Sequence, residues 1–263
     1  MEQALGAVAA RLRAARKVVV LSGAGISVAS GIRTYRGAGG MWSDRALLAA
    51  HQADALPESL PVIWSVKGPL RAQVLATTPN AAHRAVVELQ GYLEAKDGWL
   101  AVVTQNIDGL HERAGSVKVI ELHGSVMRSR CSDPSCVEEA YSDDTVPVPG
   151  GPLMACKCGK PLRPDVVLFG EAVPAYRMAD LVVRDADLLL VVGTSGQVQP
   201  AAGLVGLAAA SGAYCVLVNA EPWDDPNPDI DAELIGRTEV VLPTLVAAVR
   251  GEPVAADKLA KKL

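Results

Sequence analysis

The stretch "KVVVLSGAG", Lys17–Gly25, decides how this chain is read. Val18, Val19, Val20 and Leu21 form a continuous apolar run, the pattern of a strand buried on both faces, and Gly23 and Gly25 then break it with a tight turn. Immediately upstream, Leu5, Val8, Ala9 and Leu12 give the i, i+3, i+4, i+7 stripe of an amphipathic helix. Downstream, "WLAVVTQ", "KVIELHG", "DLLLVVGTS", "YCVLVNAE" and "EVVLP" read as further buried strands, with helical patterns between several of them. "TTPNAAHRAVVELQ" starts a helix with Pro79 near its first turn, and "PAAGLVGLAAASGA" reads as another that stops near Gly212.

Apolar strands separated by helices predict an α/β fold, a Rossmann-like parallel sheet with helices on both faces. Two segments interrupt it. Residues 38–78 carry Gly39, Gly40, Pro57, Pro61 and Pro69 among short helical patterns and read as a helical insertion. Residues 125–164 hold four of the five cysteines and "VPVPGGP", with no long helical period. The expected partition is a discontinuous large domain, 1–37, 79–124 and 165–263, and a small domain made of 38–78 and 125–164. The cleft between them is a favoured place for a ligand.

At 263 residues and 50% hydrophobic, the chain can bury a substantial core, and its net charge of -4 supplies no basic field for nucleic acid. The basic stretches Arg11–Lys17 and Lys258–Lys262 read as solvated faces. Neither a basic leader with an apolar core nor an apolar run of about 18 residues is present, so a cytoplasmic protein that does not enter membranes is expected. In that compartment the cysteines stay reduced unless they bind metal.

Polar groups gather where the strands end. Gln105, Asn106 and Asp108 follow "WLAVV"; His123 follows "KVIEL"; Thr194 and Ser195 follow "LLLVVG"; Asn219 and Glu221 close "YCVLV". Open parallel sheets bind ligands at this edge. A histidine whose ordinary pKa is about 6.5 suits a general base, which makes His123 the candidate, while His51, His83 and His111 show no partner in sequence. The turn Gly23-Ala24-Gly25 matches G-x-G, but Val28 stands where a third glycine belongs and no acidic residue closes a second strand about 20 residues on. Alone, it fits a phosphate cradle or only a tight turn. Arg36 can supply a bidentate phosphate contact or sit on the surface. Cys131-x4-Cys136, nineteen residues, then Cys156-x-Cys158 form two pairs suited to one structural zinc per chain, the alternative being two packed thiols and two incidental ones. Cys215, within an apolar strand, reads as core.

The ordered set "GAGISVASGI", "TQNIDGLHERAG", "LHGS", "LRPDVVLFGE", "GTS" and "VNAE", with the cysteine pairs between the third and fourth, resembles the sirtuins of bacterial type, NAD-dependent protein lysine deacylases, over about Val18–Pro243. The resemblance implies that NAD is a co-substrate: the bond between nicotinamide and ribose breaks, and the acyl group of an acyl-lysine protein or peptide passes to ADP-ribose. It places Gly23, Ala24, Gly25 and Ile26 on the cofactor turn and Tyr35 and Arg36 in the loop over it. Gln105, Asn106 and Asp108 then surround nicotinamide and its ribose, with Asn106 and His123 catalytic and His123 the base on a ribose hydroxyl. Gly193, Thr194 and Ser195 fall at the phosphates and ribose, Asn219 and Glu221 at the adenosine ribose, and Thr238 at the adenine. Val167, Leu168, Phe169 and Gly170 correspond to the segment that pairs with the substrate backbone.

The chain also departs from the family pattern. Tyr35 replaces a phenylalanine, Gln197 and Gln199 flank Val198 where apolar and aromatic residues are usual, and Cys156-x-Cys158 is shorter than the common spacing. "GAGGMW" resembles members that remove acidic acyl groups. Their tyrosine and arginine, three residues apart, correspond here to Lys67 and Leu70, which leaves succinyl or malonyl preference without its usual pair, although Lys67 or Arg71 can bring a cation. Alternative activities for the same pocket are mono-ADP-ribosyl transfer and NAD glycohydrolysis; the non-enzymatic alternative is an NAD-sensing interaction module. The oligomeric state is not legible.

Overall fold

A computed structural model of the chain describes residues 2–33, 44–148 and 150–252. Tyr35, Arg36, the glycines at 39 and 40 and the tail from Pro253 lie outside them. In chain order the elements are α1 (Glu2–Ala14), β1 (Lys17–Ser22), α2 (Arg45–Ala50), α3 (Leu60–Ala76), α4 (Ala81–Glu94), β2 (Trp99–Thr104), α5 (Leu110–Ala114), β3 (Val119–Glu121), β4 (Gly124–Cys131), β5 (Tyr141–Ser142), β6 (Leu162–Val166), α6 (Tyr176–Arg184), β7 (Leu188–Val192), α7 (Gly203–Ala210), β8 (Tyr214–Asn219), β9 (Ala232–Ile235) and α8 (Thr238–Arg250).

Six strands form a parallel sheet in the order β3-β2-β1-β7-β8-β9. Side chains alternate between its faces, as strand geometry requires. Val18, Val20, Leu188, Leu190, Val216 and Val218 pack against Leu5, Leu12, Leu89 and Leu245 of α1, α4 and α8. Val19, Leu21, Leu189, Val191, Cys215 and Leu217 pack against Ala179, Val183, Leu204 and Val205 of α6 and α7. The strand order runs outward in opposite directions from β1 and β7, which opens a crevice at their carboxyl ends.

β4 pairs antiparallel with β5 and β6 in a second sheet, with a register break between Ser125 and Ser129. The face of α3 bearing Ile63, Trp64, Lys67, Arg71 and Val74 is buried. Leu60, Ile63 and Val74 join Val126, Val166 and Leu168 in a third apolar cluster, and the Trp64 indole N–H donates to the Leu162 carbonyl at 2.9 Å. The expected architecture is therefore present, a helix-covered parallel sheet with a smaller unit built from an antiparallel sheet and a helical segment.

Three readings need correction. "EVVLP" lies in α8, because Val241, Leu242, Leu245, Val246 and Val249 recur at helical spacing and face the sheet. The last strand is instead β9, a short edge strand whose Glu233 is exposed. Pro79 precedes α4 rather than opening it. The N-cap is Asn80, whose side chain accepts from the Ala82 N–H at 2.8 Å, while Nδ1 of His83 accepts from the Asn80 N–H. The element after the first glycine turn is a seven-residue 3-10 helix, Ala24–Ser30, that ends at Gly31 in the left-handed region, φ 89°.

Candidate active site

The turn after β1 and the turn after β7 meet at the crevice. The Gly25 N–H donates to the Gly193 carbonyl at 2.8 Å, and a Cβ on Gly25 would lie 2.7 Å from the Gly193 Cα and oxygen. Gly193, at φ 60°, is equally constrained, since a Cβ there would lie 2.4 Å from the Ile26 nitrogen. The glycines are thus needed for two turns to touch. Val28, half-exposed, lines the cavity in place of a third glycine.

The cavity, of about 570 Å³, is lined by Gly23, Ala24, Gly25, Gln105, Asn106, His123, Gly193, Thr194, Ser195, Asn219, Glu221 and Thr238, and by Val167–Gly170. Five strand ends converge there, those of β1, β2, β3, β7 and β8. Thr194 ties them together: its hydroxyl accepts from the Gln105 amide at 3.1 Å, and its carbonyl accepts from the Trp223 indole at 2.7 Å and from the Asn219 amide at 3.5 Å. Ile26 and Asp108 stand behind the wall. Ile26 belongs to the core, and the buried Asp108 carboxylate accepts from the Ser27 hydroxyl at 2.7 Å and the Leu110 N–H at 3.0 Å. Ser27 in turn accepts from the Asn106 amide at 3.2 Å, so Asp108 acts on the cavity through Ser27 and Asn106. Burial pushes the Asp108 pKa up, against the hydrogen bonds that lower it.

His123 is placed as a base requires. Its Nδ1 is 2.9 Å from the Gln105 carbonyl oxygen, which can only accept, so Nδ1 carries the proton and Nε2 holds the lone pair. Burial lowers its pKa below the usual 6.5 and keeps the ring neutral near pH 7. The other histidines have partners that the sequence did not disclose. His111 Nε2 lies 2.9 Å from the Ser22 hydroxyl, His83 Nε2 lies 3.5 Å from Ser27, and their rings meet edge-on at 5.0 Å. Burial lowers His83 to about 4 and His111 to about 3.

His51 and Lys67 also line the cavity, together with Ile107, Val198 and Arg237. His51 Nδ1 lies 2.8 Å from the Leu47 carbonyl, and the segment it begins runs beside Phe169. The Phe169 N–H donates to the His51 carbonyl at 3.0 Å, and the Ala53 N–H donates to the Phe169 carbonyl at 2.9 Å. The Val167 N–H donates to the His123 carbonyl at 3.0 Å, which fixes this segment against His123. Such long-range pairings have no signature in local sequence.

The sulfur atoms of Cys131, Cys136, Cys156 and Cys158 lie within 4.8 Å of one another, with Cys131–Cys158 at 3.5 Å and Cys136–Cys156 at 3.8 Å. Zinc bound tetrahedrally at about 2.3 Å sets sulfur atoms about 3.8 Å apart. The shorter Cys156-x-Cys158 spacing therefore still closes a four-thiolate site. Four protein ligands leave no position for substrate, so the metal is structural. Cys215 is fully buried in the core, its pKa pushed up to about 12 by burial.

Touching glycine turns at the switch of a parallel sheet, a neutral histidine in the same cavity, and a separate four-cysteine site define the class as a dinucleotide-binding α/β enzyme with a structural metal module. The chain belongs to the Sir2 family, whose sequence model matches residues 23–200. It is similar to an NAD-dependent protein deacylase of Thermus thermophilus, 43% identical over 219 residues that cover 81% of this chain and 82% of that protein. It is also similar to NAD-dependent protein deacylase 1 of Pseudomonas aeruginosa, 43% identical over 249 residues covering 91% and 97%. Among solved structures, the crystal structure of a Sir2 homologue–NAD complex superposes with a TM-score of 0.83, at 35% identity and 93% coverage of each chain.

Proposed function

We propose that this cavity catalyses NAD-dependent removal of acyl groups from protein lysines. One observation carries the reading: His123, neutral and with Nε2 as its lone-pair nitrogen, lines the same cavity as Asn106 and the touching glycine turns at 25 and 193. NAD, when bound, supplies a ribose carbon whose bond to nicotinamide breaks and is replaced by a bond to the acyl oxygen, so that the acyl group ends on ADP-ribose.

The chain's own residues divide that work by position. Gly23–Gly25 and Gly193–Ser195 line the phosphate and ribose end, where Thr194 and Ser195 offer hydroxyls, while the N–H groups of Gly23, Gly25 and Gly193 donate to the carbonyls of Val192, Gly193 and Val218 and hold the turns together. The Asn106 amide nitrogen is held by the Gly23 carbonyl and Ser27, each at 3.2 Å, which leaves its oxygen to orient a ligand. Gln105 offers amide groups that match the nicotinamide carboxamide, and Asp108 fixes Ser27 behind Asn106. His123 Nε2 takes a proton from a ribose hydroxyl. Asn219, Glu221 and Thr238 line the adenosine end, and Val167–Gly170 lie where an extended peptide adds main-chain hydrogen bonds. Tyr35 and Arg36, outside the described residues, complete the cofactor set.

Residues 38–78 and 125–164 form the small domain of this reading. Free cysteines, four of them gathered as metal thiolates, support work in a reducing cytoplasm. Among the described residues, no helix is long and apolar enough to cross a membrane.

The test is nicotinamide release from NAD by the purified full chain, with and without an acetyl-lysine peptide. Release should depend on the peptide and be accompanied by loss of its acetyl group. Equal NAD cleavage without peptide would replace the reading with glycohydrolysis, and ADP-ribose gained by the peptide would replace it with ADP-ribosyl transfer.

A further inference from the structure

The segment that follows β6 is held by a buried ion pair that the reaction itself does not use. Arg163, at the second position of β6, has a side chain 6% exposed, and its guanidinium reaches past the end of its own strand. It donates to both carboxylate oxygens of Glu171, at 2.6 and 2.9 Å, and to the Val166 carbonyl at 2.6 Å. Glu171, which lines the cavity, accepts a third bond from the Leu168 N–H at 2.7 Å, and its own N–H donates to the Leu168 carbonyl at 3.1 Å. Gly170 lies between them at φ 85°, so residues 168–171 close a turn. Burial raises the Glu171 pKa, but the bonds from Arg163 and Leu168 outweigh it and hold the group below its usual value, so Glu171 is a carboxylate near pH 7.

The pair decides which main-chain groups of this segment stay open. The Val167 and Phe169 N–H groups are taken by the carbonyls of His123 and His51, and the Phe169 carbonyl by the Ala53 N–H. Arg163 and Glu171 take the Val166 carbonyl and both main-chain groups of Leu168. Among the described residues, the Val167 carbonyl and the main-chain groups of Gly170 have no main-chain partner, and these are the groups left for an added strand. The turn sets the shape in which they are offered, and a bidentate charged pair sets the turn, since it fixes orientation as well as distance.

We propose that Arg163 and Glu171 are positioning residues for the acyl-lysine peptide, holding residues 166–171 in the shape that receives the peptide backbone. The inference rests on the deacylase reading above and adds to it the groups behind the peptide-binding segment. A binding edge already fixed in its bound shape spares the complex the entropy of ordering it. Neither side chain acts on the reacting atoms: Arg163 acts through Glu171, and Glu171 through Leu168.

The test compares two substrates, using the full chain with zinc and saturating NAD. One is acetyl-lysine within a peptide of about ten residues; the other is Nα-acetyl-Nε-acetyl-lysine methylamide, which carries the same acyl group with almost no flanking backbone. The wild-type chain should turn over the peptide with the higher kcat/KM. Arg163→Met should lower the peptide-to-methylamide ratio by about tenfold, with the loss in the peptide KM rather than in kcat, while NAD affinity by calorimetry stays within about twofold. Glu171→Gln should lower the ratio in the same direction, because an amide has one oxygen where three donors converge. Arg163→Lys, which keeps a charged donor, should hold the ratio closer to the wild-type value. If Arg163→Met does not fold, Glu171→Gln decides. A ratio unchanged in the folded variants, or an equal loss on both substrates together with weakened NAD binding, would overturn the inference and leave Arg163 a brace of the fold alone. Equal turnover of both substrates by the wild-type chain would also overturn it and leave the deacylase reading standing. Failure with both substrates would sink both.

Discussion

Replacing Arg71 with methionine removes a guanidinium that is 0% exposed while leaving the Asp143 carboxylate, 7% exposed in its side chain, without its ionic partner. Three carbonyls and one hydroxyl lose donors in the same change. Breaking a buried pair by removing one partner costs about 3–5 kcal/mol, because the remaining charge stays desolvated. Against a native stability of about 5–15 kcal/mol, this is a large fraction of the total. Arg71 also lies over the Trp64 ring at 4.9 Å, so tryptophan fluorescence reports on the lost contact while circular dichroism follows global unfolding in urea. Arg71→Met should lower the unfolding free energy by about 3 kcal/mol or more. Adding Asp143→Asn to Arg71→Met should restore part of the loss by removing the stranded charge, whereas Asp143→Asn alone should destabilise. An Arg71→Met penalty below about 1 kcal/mol, or a double variant equal to the sum of the singles, would refute the account of Arg71 as a structural clamp.

Acid should destabilise the chain from about pH 6.5 downward. His83 at about 4 and His111 at about 3 are lowered by burial below their unfolded 6.5, so the unfolded state binds more protons and stability is complete only above 6.5. Unfolding free energies from urea titrations should fall from pH 7 to about pH 4.5 as these histidines, with His51 and His123 also lowered by burial, take up protons in the unfolded chain, and a flat profile over that range contradicts the buried neutral pair. The acid limb of kcat/KM should likewise lie below pH 6.5, as the lowered pKa of His123 requires, and His123→Ala should abolish the limb together with most turnover while NAD still binds. Gly25→Ala, which places a Cβ 2.7 Å from Gly193, should weaken NAD binding by about tenfold or more, as calorimetry would show; affinity within twofold of wild type contradicts the touching turns. Elemental analysis should find about one zinc per chain, with chelation unfolding the module around β4 and β6, and folded, active protein free of metal would remove the zinc assignment.

What the sequence disclosed follows from periodicity. A strand buried on both faces must be apolar at every position, so β1, β2, β7 and β8 are legible in the sequence, and the polar residues that end them line one cavity. The same rule misassigned "EVVLP", since a short β-branched run has no period until its continuation through Leu245 and Val249 shows helical spacing. β9 escaped because an edge strand with an exposed Glu233 lacks the continuous apolar signal. Motif reading also put Asp108 at the nicotinamide, whereas Ser27 and Leu110 hold it one layer back.

Lys67 and Arg71 show where local reading stops. Four residues apart on α3, they share one buried face and one charge, and sequence pattern treats them alike. One turn of helix separates opposite environments. Arg71 meets the carbonyls of Val126, Arg128 and Thr145 and the carboxylate of Asp143, brought there by the pairing of β4 with β5 and the chain that follows. Lys67 meets a cavity whose walls come from β2, β6 and the segment beside Phe169. Which cation braces the fold and which lines the cavity is therefore set by tertiary packing around α3. Arg71→Met tests the structural half of that division: if Arg71 acts only through stability, the surviving folded fraction keeps the wild-type kcat/KM for an acetyl-lysine peptide, whereas a lower kcat/KM per folded molecule would place Arg71 at the substrate.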